Sequence, residues 1–236
     1  MLSPSGIIVL GSFPLLLFLF IRTRPRRFYI VRHGETVLNA KHVRQGEEGG
    51  LSEEGRDQAK RVGAYLKQFP IKEIISSTYE RAKETSELIN TELHVPIAYS
   101  KLFVERRNPS EIIGKSRELP EVKKIVDQIE NAYHPDDYRY SDEENFVELK
   151  TRARTCLNLL ARQGVGGSVI VTHHVTLKML LAYILYREKL HASDFVKLSF
   201  LNISDNATIT VCEYHPLKAF TRSRGWSVVS YNEQPD

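Results

Sequence analysis

The chain has 236 residues, of which 42% are apolar and 26% charged, and its formal net charge at pH 7 is +4. The length suits one domain with a short appendage, and the two cysteines, Cys156 and Cys212, exclude a disulfide framework. Four arginines within residues 22–27 supply the whole excess charge, so the total of +4 gives no reason to expect a nucleic-acid partner.

The chain begins with an uncharged, mostly apolar span at residues 2–21. As a helix this span would measure about 30 Å, which is roughly one hydrocarbon thickness. A cleaved signal peptide would need a basic start and a small-residue cleavage site, and a buried core helix would need a surface to cover. We therefore expect a membrane anchor and basic run over residues 1–25. The arginines and the domain over residues 26–236 would then lie on the cytoplasmic side.

The rest of the sequence alternates between strand and helix patterns. The predicted strands are residues 27–31, 73–76, 168–172, 207–214 and 225–231. The predicted helices are residues 52–69, 79–93, 122–133, 146–160 and 175–187, and residues 133–145 read as a polar surface loop. Strands that alternate with helices indicate an α/β domain with a mainly parallel sheet.

Polar side chains follow three of these strands at their carboxyl ends. Arg32 and His33 follow "FYIV", His173 follows "VIVT", and "IISST" leads into a helix with Arg81 in its first turn. Because ligands bind beyond the carboxyl ends of parallel strands, we expect these four side chains to meet. Two arginines and two imidazoles suit a phosphate monoester, which carries about −1.5 to −2 charges near pH 7.

Two simpler interpretations compete with this one. Taken alone, Arg81 could be an exposed helix arginine paired with Glu80 or Glu84. His173 and His174 could bind a metal, but no third and fourth ligand stands at a recognisable spacing. The sequence therefore predicts no metal site.

Four segments in chain order, "VRHGET", "LSEEGRDQA", "SSTYERAKETSE" and "VTHHVTLKMLL", resemble the histidine phosphatase superfamily, also called phosphoglycerate mutase-like. The likeness extends over about residues 27–231. It implies a three-layer α/β fold with helices on both faces of the sheet, and chemistry without a metal or cofactor. One departure is visible, because His174 stands where the family usually has glycine.

The resemblance also implies roles for individual residues. His33 would attack phosphorus and form a phosphohistidine. Four side chains would hold the phosphoryl oxygens: Arg32, Arg81, His173 and Asn39. Glu105, in "LFVERRNPSEIIGK", takes the position of the acid that protonates the leaving oxygen. Glu111 competes for that role, but its Pro-Ser-Glu context looks like the first turn of a helix.

The function implied is a membrane-tethered phosphomonoesterase that acts on a small phosphorylated substrate. A phosphoglycerate mutase is the first alternative, and a non-catalytic adaptor that binds phosphorylated partners is the second. The expected partners are this substrate and the membrane, through residues 2–21, and the oligomeric state stays open. Arg106, Arg107 and Lys115 are candidates to extend the positive field of the pocket.

Overall fold

A computed structural model of the chain describes residues 23–131, 133–198, 201, 205–221 and 224–235. The predicted N-terminal helix therefore lies outside the described residues. Within these ranges, no helix is both long and apolar enough to cross a membrane.

The described residues form six strands and seven α-helices. The strands are β1 (Arg26–Arg32), β2 (Glu73–Ser77), β3 (Ile97–Ser100), β4 (Ser168–Thr172), β5 (Ile209–Tyr214) and β6 (Trp226–Glu233). The helices are α1 (Val37–Ala40), α2 (Glu53–Leu66), α3 (Glu80–Leu93), α4 (Pro120–Ile129), α5 (Phe146–Gln163), α6 (His174–Tyr186) and α7 (Ala192–Lys197).

The strands form one mixed sheet in the order β3-β2-β4-β1-β5-β6. The first four strands in this order are parallel, whereas β5 is antiparallel to β1 and β6 is antiparallel to β5. The prediction of parallel strands is correct for β1, β2 and β4, and β3, which was not predicted as a strand, pairs in parallel with β2. The prediction does not give the antiparallel direction of β5 and β6. A short connection joins these two strands without an intervening crossover helix.

The three-layer arrangement follows from the alternation of side chains along the buried strands. In β1, Phe28 and Ile30 pack into a core cluster with the apolar faces of α5 and α6. Tyr29 and Val31 point to the other face, where they pack against α2 and α3. The sheet therefore has helices on both faces, as the resemblance implied.

The segment after α4 corrects two predictions. The apolar stripe predicted a helix to Tyr133 with that side chain inward, but α4 ends at Ile129 and Tyr133 is 96% exposed. Asn131 Oδ1 accepts a hydrogen bond from Tyr133 N at 2.9 Å, and this local turn competes with the helix.

The loop over residues 133–145 is only partly a surface loop. Glu143 is 1% exposed, and its carboxylate accepts hydrogen bonds from two backbone N–H groups, at 2.6 and 2.7 Å.

Candidate active site

The carboxyl ends of three parallel strands bring the predicted site residues together. Thr172, the last residue of β4, pairs with Arg32, so His173 and His33 emerge side by side with ring centroids 5.1 Å apart. Arg81, in the first turn of α3, donates from Nε to His33 Nε2 at 3.2 Å. The sequence pattern therefore located this cluster at the correct end of the sheet.

The two ring nitrogens of His33 have different partners. Nδ1 lies 2.8 Å from the carbonyl oxygen of Gly34, which can only accept, so Nδ1 carries the proton and Nε2 holds the lone pair. Burial, together with the charges of Arg81 and Arg32, holds the pKa of His33 well below its usual range. His33 is therefore neutral at pH 7, with its basic nitrogen beside Arg81.

Two glycines fix the backbone around His33. A methyl group on Gly34 would overlap the carbonyl oxygen of Gly55, and one on Gly55 would overlap the carbonyl oxygen of Glu35. The start of α2 and the turn after β1 therefore touch backbone to backbone. Gly34 N also donates to Thr85 Oγ1 at 3.0 Å, which ties the same turn to α3.

His173 and Arg81 are both buried. His173 Nε2 lies 2.8 Å from Ser77 Oγ, and its ring meets the edge of Tyr79 at 5.2 Å between centroids. Arg81 is 3% exposed and donates from Nη1 to Gly46 O at 2.8 Å. Burial lowers the pKa of Arg81, as it lowers the pKa of Arg32 to about 10, so both remain charged at neutral pH.

The interpretation of Arg81 as an exposed helix arginine is wrong. Glu84, one of the two partners considered for it, instead accepts from Arg56 Nε at 2.6 Å. The other, Glu80, accepts from the backbone N–H of Gly49 at 2.9 Å.

The carboxylate of Glu105 lies at the N-terminus of α6. Its oxygens accept from the backbone N–H groups of Val175 and Thr176, each at 3.1 Å, and of Arg106 at 2.9 Å. Burial acts to raise the pKa of Glu105, but His174, the N–H donors and Arg81 outweigh it, and the pKa is lowered. The side chain is therefore ionised in the free protein.

Glu111, the competing acid, lies elsewhere. It is exposed in a 3₁₀ turn, Ser110–Ile112, and does not line the cavity that contains His33. The geometry thus favours Glu105 over Glu111.

A strongly positive cavity of about 240 Å³ is lined by Arg32, His33, Arg81 and Glu105. His173 is fully buried beside His33 and does not line this cavity. Among the described residues, the lining of the cavity includes one carboxylate, Glu105, and five arginines: Arg32, Arg44, Arg81, Arg106 and Arg117. Asn39 also lines it, but Asn39 Oδ1 accepts from Thr36 N at 3.3 Å, so only its amide NH₂ could donate to a ligand.

Five residues of this lining were not identified from the sequence: Arg44, Gln45, Asn108, Arg117 and Val175. Arg44 and Arg117 come from two loops that pair through an isolated bridge between Val43 and Ser116. Such long-range pairing leaves no local pattern, so no sequence signal marked these residues.

Arg106, Arg107 and Lys115, the three cations that were candidates to extend the positive field of the pocket, lie in different places. Arg106 lines the cavity, whereas Lys115 does not. Arg107 donates from Nε to the carbonyl oxygen of Asp142 at 2.7 Å and holds the loop over residues 133–145.

A second cavity of about 250 Å³ adjoins the first. The two share five lining residues: Arg44, Arg106, Arg117, His174 and Val175. Beyond these, Lys178 and the aromatic rings of Phe146 and Phe195 line it, together with several polar residues of the loop 133–145. His174 therefore stands between the two cavities. Burial, with the charge of Arg32, lowers the pKa of His174 to about 4.

In the described part of the chain, no three His, Cys, Asp or Glu side chains are grouped so that they could hold a metal.

Comparison with known proteins finds relatives that have phosphatase names. A sequence profile of the histidine phosphatase superfamily (branch 1) matches residues 28–232. A probable phosphatase of Schizosaccharomyces pombe is 30% identical over 193 residues, which are 79% of this chain and 86% of that protein. Human 6-phosphofructo-2-kinase/fructose-2,6-bisphosphatase 4 is 30% identical over 172 residues, which are 70% of this chain and 34% of that longer protein.

A solved structure agrees on the fold. The mycobacterial glucosyl-3-phosphoglycerate phosphatase superposes with a TM-score of 0.70 at 22% identity, over 89% of this chain and 100% of that one. The profile match and the Schizosaccharomyces pombe relative show the family as well as the fold, because both extend over most of the sequence. The resemblance drawn from the four segments is thereby confirmed: the chain belongs to the histidine phosphatase superfamily, whose members here are phosphatases and phosphoglycerate mutase-like enzymes.

Proposed function

We propose that this protein hydrolyses small phosphomonoesters through a phosphohistidine on His33 and that residues 2–21 tether it to a membrane. The observation that carries the catalytic part is the arrangement around His33. Its Nε2 holds the lone pair in a cavity that also contains five arginines and Glu105. A nucleophile, an oxyanion cradle and an acid are the three parts that the reaction requires.

In the first step, His33 Nε2 attacks phosphorus and the bond to the leaving oxygen breaks. Arg32 and Arg81 offset the charge on the equatorial oxygens, which is the main contribution that a protein makes to phosphoryl transfer. His173, whose burial lowers its pKa well below the usual range and leaves the ring neutral, holds the third oxygen through a ring nitrogen. Glu105 gives its proton to the leaving oxygen. A dianionic substrate beside the carboxylate raises the low pKa of Glu105, because a like charge disfavours the ionised form.

In the second step, water attacks the phosphohistidine. Glu105, now ionised, takes a proton from this water, the P–N bond breaks, and His33 is restored. Inorganic phosphate leaves through the cavity. The proton count balances over both steps, since Glu105 gives one proton and regains one.

The second cavity supports water as the acceptor and accommodates the alcohol part of the substrate. Polar loop side chains line much of it, including His134, Asp136 and Tyr138, so water is not excluded from the phosphohistidine by an apolar seal. The described lining of this cavity combines four basic side chains with four carboxylates: Arg44, Arg106, Arg117 and Lys178, with Glu130, Asp136, Glu143 and Glu144. The charge of the cavity therefore does not favour an acidic alcohol part over a neutral one.

The test of hydrolysis compares two reactions of the purified protein. One supplies p-nitrophenyl phosphate, and the other supplies 3-phosphoglycerate with a catalytic amount of 2,3-bisphosphoglycerate. We expect inorganic phosphate from the aryl ester and, in the second reaction, at most a minor yield of 2-phosphoglycerate. If isomerised product dominates, the enzyme is a mutase and the proposal of hydrolysis fails.

Arg81→Ala is expected to weaken inhibition by vanadate or phosphate by about ten- to over a hundredfold. The loss of one charge-assisted hydrogen bond costs roughly 1.5–3 kcal/mol, and 1.36 kcal/mol corresponds to a factor of ten. Inhibition constants measure the effect. Arg56→Ala is the matched control, because Arg56 pairs with Glu84 at the surface and should leave the constants unchanged. Equal constants for Arg81→Ala and the parent would remove Arg81 from the phosphate site.

The tether is supported by the uncharged span of residues 2–21 and by the arginines that follow it. We expect alkaline carbonate to leave the full chain in the membrane pellet, because a spanning helix is held by apolar burial and carbonate removes only peripheral proteins. Protease added outside intact cells should spare the domain. Extraction by carbonate would contradict the tether.

A further inference from the structure

The end of the sheet opposite the active site is where the described chain begins. β1, β2 and β4 are parallel and in register, so their first residues share one end of the sheet, and His33 and His173 lie at the other. The loop between β5 and β6 belongs to the first end, because Tyr214 pairs with both Arg26 and Trp226. We name this region, with its adjoining loops, the Arg26 end.

The Arg26 end carries an open, basic groove of about 970 Å³. Its described lining contains no acidic side chain and five basic ones: Arg24, Arg26, Arg27, Lys72 and Arg162. Arg26 is engaged internally, donating to Gly164 O at 2.6 Å, and Arg27 forms an ion pair with Glu213 at 3.0 Å. Arg24, Lys72 and Arg162 are exposed, and because the described lining has no acidic side chain, the groove presents net positive charge to solvent.

Exposed apolar side chains lie in the chain segment that follows Pro216, which itself lines the groove. Leu217 is 73% exposed and Phe220 is 100% exposed, with Lys218 between them in the loop that follows β5. Val165, in the wall of the groove, is 39% exposed. A single exposed apolar residue is ordinary. An aromatic and two aliphatic side chains among lysines and arginines have the composition of a surface that lies in a membrane interface.

The covalent link places this end next to the apolar span. Only residues 22–25 separate Ile21 from the first residue of β1. Four residues reach at most about 14 Å when fully extended. A membrane that holds residues 2–21 would therefore hold the Arg26 end within this distance of its surface. The seven residues of β1 place His33 about 23 Å away, on the far side of the domain.

We propose that the Arg26 end docks on an anionic lipid surface. The basic groove contacts the lipid headgroups, while Leu217 and Phe220 enter the interface. Anionic leaflets attract basic segments within about one Debye length, which the short link ensures here. This proposal rests on the proposed tether, and it adds an orientation in which the active site faces the aqueous phase.

The experiment places an environment-sensitive dye on the full chain in vesicles. Cys156 and Cys212 are the two cysteines of the sequence, and both are buried, so a new surface cysteine takes the label. The probe variant is Phe220→Cys. The matched control is Tyr133→Cys, which replaces another almost fully exposed aromatic residue, 96% exposed, near the second cavity. The vesicles contain phosphatidylcholine with phosphatidylserine and a nitroxide lipid as quencher.

We expect blue-shifted emission and about twofold or stronger quenching at position 220, and neither effect at position 133. Lys72→Gln combined with Arg162→Gln should lower the ratio of docked to undocked domain roughly 25-fold, at about fivefold for each lost charge. The matched control pair is Lys123→Gln with Lys124→Gln, in α4, and it should leave the ratio of docked to undocked domain unchanged. Salt near 1 M, where the Debye length is about 3 Å, should reduce quenching at 220.

Two results would overturn the proposal, and they separate it from the tether. If the full chain sediments with vesicles while the label at 220 stays in water, the docking surface is wrong and the tether stands. If the chain stays in the supernatant, both fail. In either case, unchanged turnover of p-nitrophenyl phosphate shows that each labelled variant is folded.

Discussion

His33→Ala is expected to lower kcat by about 10⁴- to 10⁶-fold, the scale of loss when a covalent nucleophile is removed. The reason lies in the bonding of the imidazole. Gly34 O fixes the proton on Nδ1, burial keeps the ring neutral, and Nε2 is left as the basic atom in the cavity. No other described side chain in that cavity combines a neutral, basic nitrogen with this position beside Arg81.

The measurement is a rapid quench after brief incubation with ³²P-labelled substrate. Label that is lost in acid and kept in base identifies a phosphohistidine, and peptide mapping should place it on His33. His215→Ala is a suitable control, since His215 pairs with Glu213 far from the cavity and its loss should leave the labelling intact. Because His33 is buried, His33→Gln and a melting curve test whether the fold survives. Label on another residue would show that His33 is not the nucleophile.

Glu105→Gln is expected to lower kcat by about 10²- to 10⁴-fold for an alkyl phosphate, and by much less for p-nitrophenyl phosphate. An alkoxide needs a proton in order to leave, whereas nitrophenolate hardly does. Glu111→Gln is the matched control, because Glu111 is exposed outside the cavity. Equal losses for both substrates would exclude Glu105 as the acid.

The pH dependence of Glu105 gives an independent check. In the free protein the pKa of Glu105 is lowered, so its carboxyl is ionised at neutral pH, and the bound dianion raises that pKa in the complex. The reactive form carries the proton, so kcat for the alkyl ester should fall as pH rises through the pKa of the complex. Glu105→Gln should flatten this alkaline limb. A limb that persists unchanged in the variant belongs to another group.

The sequence predicted the part of the site that depends on short-range patterns. His33, His173 and Arg81 each follow a strand whose apolar run is visible locally, and parallel pairing then brings the three together. Arg44 and Arg117 were not predicted as site residues, because the pairing of two loops that are distant in sequence brings them to the cavity. Tyr133 was misplaced for a different reason, since a turn at Asn131 ends a helix that the apolar stripe alone would continue.

The fold shows the same division between local and long-range information. Alternating helices and strands predicted β1, β2 and β4 and their common direction, because crossover helices impose parallel pairing. The direction of β5 and β6 depends on where the chain returns to the sheet after α7, which no local pattern records. The membrane anchor of residues 1–25 stays a prediction, since residues 1–22 lie outside the described part of the chain.

The contact between Gly34 and Gly55 has a mechanical consequence for variation in this enzyme. A side chain that meets another side chain can rotate away, but here each added methyl group would meet a carbonyl oxygen of the main chain. Relief would require the whole of α2 to shift, and the turn that carries His33 would shift with it. The solvent face of α2 is therefore open to substitution, whereas any side chain at Gly34 or Gly55 would displace His33 relative to the arginines of the cavity.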